Sequence, residues 1–243
     1  MSRGVQRLAA GAPGAATGLI EREDELARID AALEAARAGT GATVLIEAAA
    51  GIGKTSLIAL ACERAASAGM TVLDARGSPL ERDYAMGVVR QCFEPELHRQ
   101  RDVDALFSGA AELARHVVFD APARFDAAPE GVLHGLYWLT AILTERAPVL
   151  LAIDDAHWAD EESLRFVAYM ARRVQMLPVA LLVGSRPPED PTAAAVLDEL
   201  RREPATSVLE PAPLDSPPTG CRATCSSSSP TSRASPCMHC SPC

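Results

Sequence analysis

Between Arg22 and Arg37 the apolar residues Leu26, Ile29, Ala32, Leu33 and Ala36 recur three and four positions apart. That spacing predicts an amphipathic helix, ended by Gly39 and Gly41. The period then changes. Ala42-Thr-Val-Leu-Ile-Glu47 is a short β-branched run, which predicts a buried strand. A glycine-bearing loop follows at 48–53, and a helix from Lys54 to about Ala68. Met70–Asp74 predicts a second strand. Residues 82–146 read as mainly helical, with breaks near Pro95, at 120–122 and near Pro129. Pro148-Val-Leu-Leu-Ala-Ile-Asp-Asp155 is apolar almost throughout, as in a strand of a parallel sheet covered on both faces. Asp160 is placed to cap a helix running to about Gln175, with Glu161 and Glu162 at the positive end of its dipole. Pro178–Ser185 predicts a fourth strand, 192–202 a helix and 206–209 a last short strand.

Strands alternating with helices predict an α/β fold with a doubly wound, mainly parallel sheet. The pattern divides the chain into a flexible leader at 1–17, an ordered domain at 18–210 and a tail at 211–243. From Pro211 the tail holds seven prolines, eight serines and a single leucine, so it has too little apolar surface to build a core and reads as disordered. Cys221, Cys225, Cys237, Cys240 and Cys243 crowd into it, with His239 among them. No strand or helix pattern there would position zinc ligands, so these residues are not read as a metal site. A net charge of −9 argues against a general nucleic-acid surface. No apolar run approaches the roughly 20 residues that span a bilayer, and the N-terminus lacks a signal-peptide core. The expectation is a cytoplasmic protein that binds neither membrane nor DNA through this chain.

Composition also marks one residue. Lys54 is the only lysine; every other basic side chain is an arginine. It stands in Gly51-Ile52-Gly53-Lys54-Thr55-Ser56, between a predicted strand and a predicted helix, the context that makes a glycine loop a phosphate-binding loop. A compact ammonium on a flexible stem reaches between phosphates while backbone N–H groups wrap them; a planar guanidinium fits less readily. The third strand ends in Asp154-Asp155. On a strand neighbouring the loop, Asp154 is assigned to Mg²⁺ together with the Thr55 hydroxyl, and Asp155 to the attacking water. Thr55 has an alternative role as a hydrogen-bonding residue of the helix N-terminus. Arg186, after the fourth strand, is either a cation for the γ-phosphate or a surface arginine before a Pro-Pro turn. His157 reads as a packing or hydrogen-bonding residue and Trp158 as apolar cover.

Four runs carry a family resemblance: Glu47-Ala-Ala-Ala-Gly-Ile-Gly-Lys-Thr-Ser-Leu57, Arg76-Gly-Ser-Pro-Leu-Glu-Arg-Asp83, Leu133-His-Gly-Leu-Tyr-Trp-Leu139 and Asp154-Asp-Ala-His-Trp-Ala-Asp160. Together, over about residues 18–214, they resemble the AAA-like, signal-transducing P-loop ATPase domain of large LuxR-type transcriptional regulators of actinobacteria. They are also similar to the ATPase region of soluble adenylyl cyclases. The resemblance implies a P-loop NTPase of the additional-strand type with order 5-1-4-3-2, ATP and Mg²⁺ as ligands, and slow hydrolysis serving as a switch. It places Ala48, Gly51, Ile52, Gly53, Lys54, Thr55 and Ser56 around the nucleotide, Leu19 and Ile20 near the adenine, and Lys54, Asp155 and Arg186 in hydrolysis. Glu21 stands where the family often has glycine.

Two departures qualify those expectations. Ala48 occupies the position where the loop normally opens with glycine. If its backbone needs a positive φ, alanine costs about 1–2 kcal/mol, roughly 5–30-fold in affinity, so ATP binding is expected to be weakened but to survive. The family-like sequence also stops near Leu214-Asp215, where regulators of this kind continue into lid, winged-helix, helical-repeat and helix-turn-helix regions. The switch to a Ser/Pro/Cys tail reads as a truncation or frameshift. Beyond ATP, the partners this leaves open are self-association and the missing C-terminal domains. The alternatives to a slow ATPase are a nucleotide-binding interaction module that does not hydrolyse, an adenylyl-cyclase-like ATPase region, or a small-molecule P-loop kinase.

Overall fold

A computed structural model describes residues 22–119, 129–188 and 190–213, which lie within one compact unit. The leader 1–17, the adenine candidates Leu19 and Ile20, the break at 120–122 and the tail from residue 214 fall outside the described residues. The elements run α1 (Glu23–Arg37), β1 (Ala42–Glu47), α2 (Lys54–Ser67), β2 (Thr71–Arg76), α3 (Gly87–Leu97), α4 (Arg115–Phe119), α5 (Pro129–Thr144), β3 (Val149–Asp154), α6 (Glu161–Ala171), β4 (Val179–Ser185), α7 (Pro191–Arg202) and β5 (Thr206–Leu209).

All five strands are parallel and lie in the order β2-β3-β4-β1-β5, the 5-1-4-3-2 arrangement that the resemblance implied. The two-residue period divides each inner strand between two cores. Val44 and Ile46 of β1, Leu150 and Ala152 of β3, and Ala180 and Leu182 of β4 face one side, packing with Ile29 and Leu33 of α1 and Leu57 and Ala61 of α2. Leu45, Leu151, Ile153, Leu181 and Val183 face the other, against α3 to α7. Helices on both faces bury the central strands, so their sequences are apolar rather than alternating.

Several boundaries differ from the sequence reading, each for a local reason. Pro95 lies inside α3, in its last turn, where the lost N–H costs a single late hydrogen bond. Pro129 is the first residue of α5 rather than a break before it, a position that suits its fixed φ and missing donor. Residues 98–114 are loops and 3₁₀ turns rather than α-helix. The helix from Glu161 stops at Ala171, and a separate 3₁₀ turn takes up Val174–Met176. β2 runs on to Arg76 instead of ending at Asp74. β3 ends at Asp154, which leaves Asp155 outside the strand.

One buried carboxylate joins two helices. Asp160 caps α6 by accepting from Ser163 N–H at 2.9 Å. It also accepts from Met86 N–H at 2.7 Å and Val88 N–H at 3.4 Å, at the start of α3. Met86 sits in the left-handed region, at φ 60°, to turn its N–H toward that carboxylate. Ser163 adds a bond of its own, its hydroxyl accepting from Val89 N–H. Asp160 thus holds the loop after β2 against the loop after β3.

Candidate functional site

The loop at 48–53 leaves β1 and turns into α2. Gly51 and Gly53 have φ of 81° and 96°, and nothing lies within 4 Å of a Cβ built at either. They are needed for backbone conformation, not for space. Ala48 has no such requirement: among the described residues only Met86 and Asp155 combine a side chain with positive φ. The strain argument for weakened binding is therefore overturned. Ala48 N–H donates to Ser185 O at 3.2 Å, which ties the loop's first residue to the end of β4. Ala48→Gly is accordingly expected to leave nucleotide affinity within about twofold of the parent, a titration to be run beside it. A gain of about fivefold or more would restore the strain account.

Lys54 is buried, and its Nζ donates to Ala48 O at 2.6 Å and Ala49 O at 2.9 Å. The side chain folds back over its own loop. Burial pushes the ammonium below the ordinary lysine value and Arg186 pushes the same way, while Asp155 and Asp154 oppose them. Thr55 and Ser56, at the exposed start of α2, complete the loop.

Across the sheet edge, Thr55 Oγ1 donates to Asp154 Oδ2 at 2.7 Å, joining residues 99 apart in the chain. β4 lies between β3 and β1, the strand that leads into the loop, as the 5-1-4-3-2 order implied, so the acids do not end a strand next to β1 as the motif reading placed them. Gly184 on β4 lets the pair meet. A Cβ there would come within 2.5 Å of Ile58 Cδ1 and 3.2 Å of Asp154 Oδ1. A hydroxyl and a buried carboxylate at hydrogen-bond distance are hard oxygen donors suited to Mg²⁺. Among the described residues no cluster of three or more His, Cys, Asp or Glu could hold a metal alone, so a cation here would draw its other ligands from water or phosphate.

Asp155 is engaged differently. It has φ 49° and is buried, and its Oδ2 accepts from Arg76 Nη2 at 2.6 Å and Nε at 3.0 Å. The carboxylate assigned to water is held by an arginine from the end of β2. That partner was missed because β2 reads as ending at Asp74, although Arg76 opens one of the family-like runs.

Two more arginines went unassigned. Arg22 is buried ahead of α1 and donates to Glu25 Oε1 at 2.8 Å, to the loop carbonyl of Ile52 at 3.0 Å and to Ala212 O at 2.6 Å. Its signal was its place beside Leu19 and Ile20. Arg201 holds Glu47, the last residue of β1, with two bonds of 2.5 and 2.7 Å. The 154 residues separating that pair leave no local pattern to find.

Arg186 follows β4 and is partly buried. Its backbone N–H donates to His157 Nδ1 at 3.4 Å. His157 is buried in the 3₁₀ turn after Asp155, with Trp158 tilted against it at 5.0 Å. Burial pushes its imidazole below the ordinary value; Asp155 pulls it up, while Arg186 and Lys54 push it down. Neither described cysteine competes as a nucleophile. Burial, with Asp74 nearby, pushes the Cys62 thiol up to about 12, and fully buried Cys92 is raised further.

A family profile described as the AAA ATPase domain matches residues 18–183. No curated protein matches the sequence. A solved structure titled as the Aeropyrum pernix Orc1 protein in complex with DNA is similar at 19% identity and a TM-score of 0.45, covering 80% of this chain. This chain spans 46% of that protein's length.

Proposed function

The chain belongs to the AAA ATPase domain family, a family of nucleotide-binding P-loop modules, and on that premise we propose that it binds ATP with Mg²⁺ and hydrolyses it slowly as a conformational switch. The observation that carries this reading is the bond between Thr55 and Asp154, made on the flank of the loop that holds the only lysine. Lys54 would leave the carbonyls of Ala48 and Ala49 for the β- and γ-phosphates. N–H groups of the loop and of the first turn of α2 would bind phosphate oxygens. Thr55 and Asp154 would hold Mg²⁺, which would supply neutralisation of phosphate charge. In hydrolysis, the oxygen of water bonds to the γ-phosphorus while the bond to the β–γ bridging oxygen breaks, and that electron pair departs with ADP. The water's proton passes to Asp155 or to a γ-phosphate oxygen. Arg186 would stabilise the charge on the transferred group.

Arg76 sets the rate in this reading. With two bonds to Asp155 it occupies the carboxylate that would orient water. Arg76→Gln is expected to raise single-turnover hydrolysis about 2–5-fold, the modest effect of releasing a largely exposed ion pair. In an Asp155→Asn background the same change is expected to do nothing, because the released group no longer acts. Hydrolysis unaffected by Asp155→Asn alone would remove Asp155 from the mechanism. Nucleotide binding without measurable hydrolysis in any of these variants would favour the interaction-module reading.

The four family-like runs support a place in a LuxR-type transcriptional regulator, with ATP as the small-molecule partner and transcription control lying outside this chain. No helix among the described residues is long and apolar enough to cross a membrane, which accords with a cytoplasmic location. The acidic charge of −9 supports a module that does not itself contact DNA.

A further inference from the structure

Between the turns that follow β3 and β4 lies a cleft of about 320 Å³ lined by Arg82, Asp190, His157, Trp158, Arg186 and Pro187. His157 and Arg186 both contribute to its lining, and each carries an N–H donor just beneath the surface. His157 Nδ1 faces the backbone N–H of Arg186 and must present its lone pair, so the neutral ring carries its proton on Nε2. Among the described residues His157 Nε2 is buried and has no hydrogen-bond partner, and the same holds for Arg186 Nε. A buried N–H without an acceptor is costly, and two in one cleft call for a ligand that accepts twice. The charges around them favour an anion. Arg82 is neutralised by its ion pair with Asp190 and Asp155 by Arg76, which leaves the Arg186 guanidinium as the uncompensated charge among them. Arg186 also links the cleft to the nucleotide, because it acts electrostatically on Lys54.

We propose that this cleft is an oxyanion subsite in which His157 Nε2–H and Arg186 Nε–H hold the inorganic phosphate released on hydrolysis. The proposal rests on the ATPase reading for the source of the phosphate. The cleft itself is defined by the two donors and can be tested without it. A phosphate held here leaves the γ-position while still in contact with Arg186, so exit of phosphate is a step separate from exit of ADP. Trp158, in the lining, reports on occupancy.

The chain has two tryptophans, so Trp138→Phe leaves Trp158 as the only one. In that background inorganic phosphate is titrated against the full chain, with and without saturating ADP and Mg²⁺, and chloride at matched ionic strength is the control. A saturable change in Trp158 fluorescence is expected with phosphate and none with chloride. His157→Phe is expected to raise the half-saturating phosphate concentration about tenfold, the loss of one hydrogen bond to a charged group. His157→Gln, which returns an N–H near the Nε2 position, is expected to recover most of that loss. Arg186→Lys, which keeps the charge and removes the Nε–H, should weaken phosphate several-fold, and it decides the matter if the His157 variants fail to fold. No saturable response in the parent, or phosphate affinity unchanged in either His157→Phe or Arg186→Lys, overturns the subsite. ADP binding followed in parallel separates the two failures: a chain that takes phosphate in the cleft but no ADP refutes the ATPase reading and leaves the subsite standing.

Discussion

Replacing Lys54 with alanine is expected to weaken binding of a fluorescent ATP analogue by about 30–150-fold. The figure follows from the ~2–3 kcal/mol that a hydrogen bond to a charged group contributes once its partner is lost. Lys54 is the only lysine, and its ammonium is desolvated and held by two carbonyls of its own loop. Nucleotide would exchange those carbonyls for phosphate oxygens, so part of the desolvation cost is already met in the free protein. Burial and, after it, Arg186 lower the proton affinity of the ammonium, while Asp155 and Asp154 raise it. Equal affinity in parent and variant, by titration at constant Mg²⁺, would remove the nucleotide site from this loop. A loss confined to Mg²⁺-containing buffer would shift the weight of binding from Lys54 to Thr55 and Asp154.

Much of this arrangement is written locally. A β-branched run, two glycines at the positions that need positive φ, one lysine and an apolar strand ending in acids mark the loop and the proposed metal pair without reference to the rest of the chain. β1 begins and ends where its pattern changes, at Ala42 and Glu47. Contacts between distant segments left no such trace. Arg76 meets Asp155 only because β2 lies beside β3. Arg22 reaches Ile52 and Ala212 only after α1 has packed against the sheet. Gly184 looks like any strand glycine until Ile58 and Asp154 are placed beside it. Ala48 shows the opposite error. A substitution that looks strained beside the family pattern carries no positive-φ strain in this backbone.

Asp160→Ala should cost about 3–5 kcal/mol of stability. Asp160 is 2% exposed and accepts from three backbone N–H groups on two helices. An ordinary N-cap replaced by alanine loses about 0.5–2 kcal/mol. Here the deletion also strands Met86 N–H, and more weakly Val88 N–H, inside the protein, where each unpaired donor adds about 1–3 kcal/mol. Met86 holds a left-handed backbone beside that carboxylate and would lose its compensating bond. For a domain of this size the loss corresponds to a fall in Tm of about 10 °C. Asp160→Asn keeps one acceptor oxygen and should recover the bonds to Ser163 and Met86, both made by Oδ1, while forfeiting the longer Val88 bond to Oδ2. Its expected fall is less than half that of alanine. Thermal melts of the three proteins in one buffer decide the matter, and equal falls for Asn and Ala would mean that the negative charge, not the hydrogen-bond geometry, joins the two loops. The consequence reaches the nucleotide site through the chain itself. Asp160 fixes the end of the loop that begins at Asp155 and the end of the one that leaves Arg76. Loosening it should blunt the effect of Arg76→Gln on hydrolysis before it abolishes binding through Lys54.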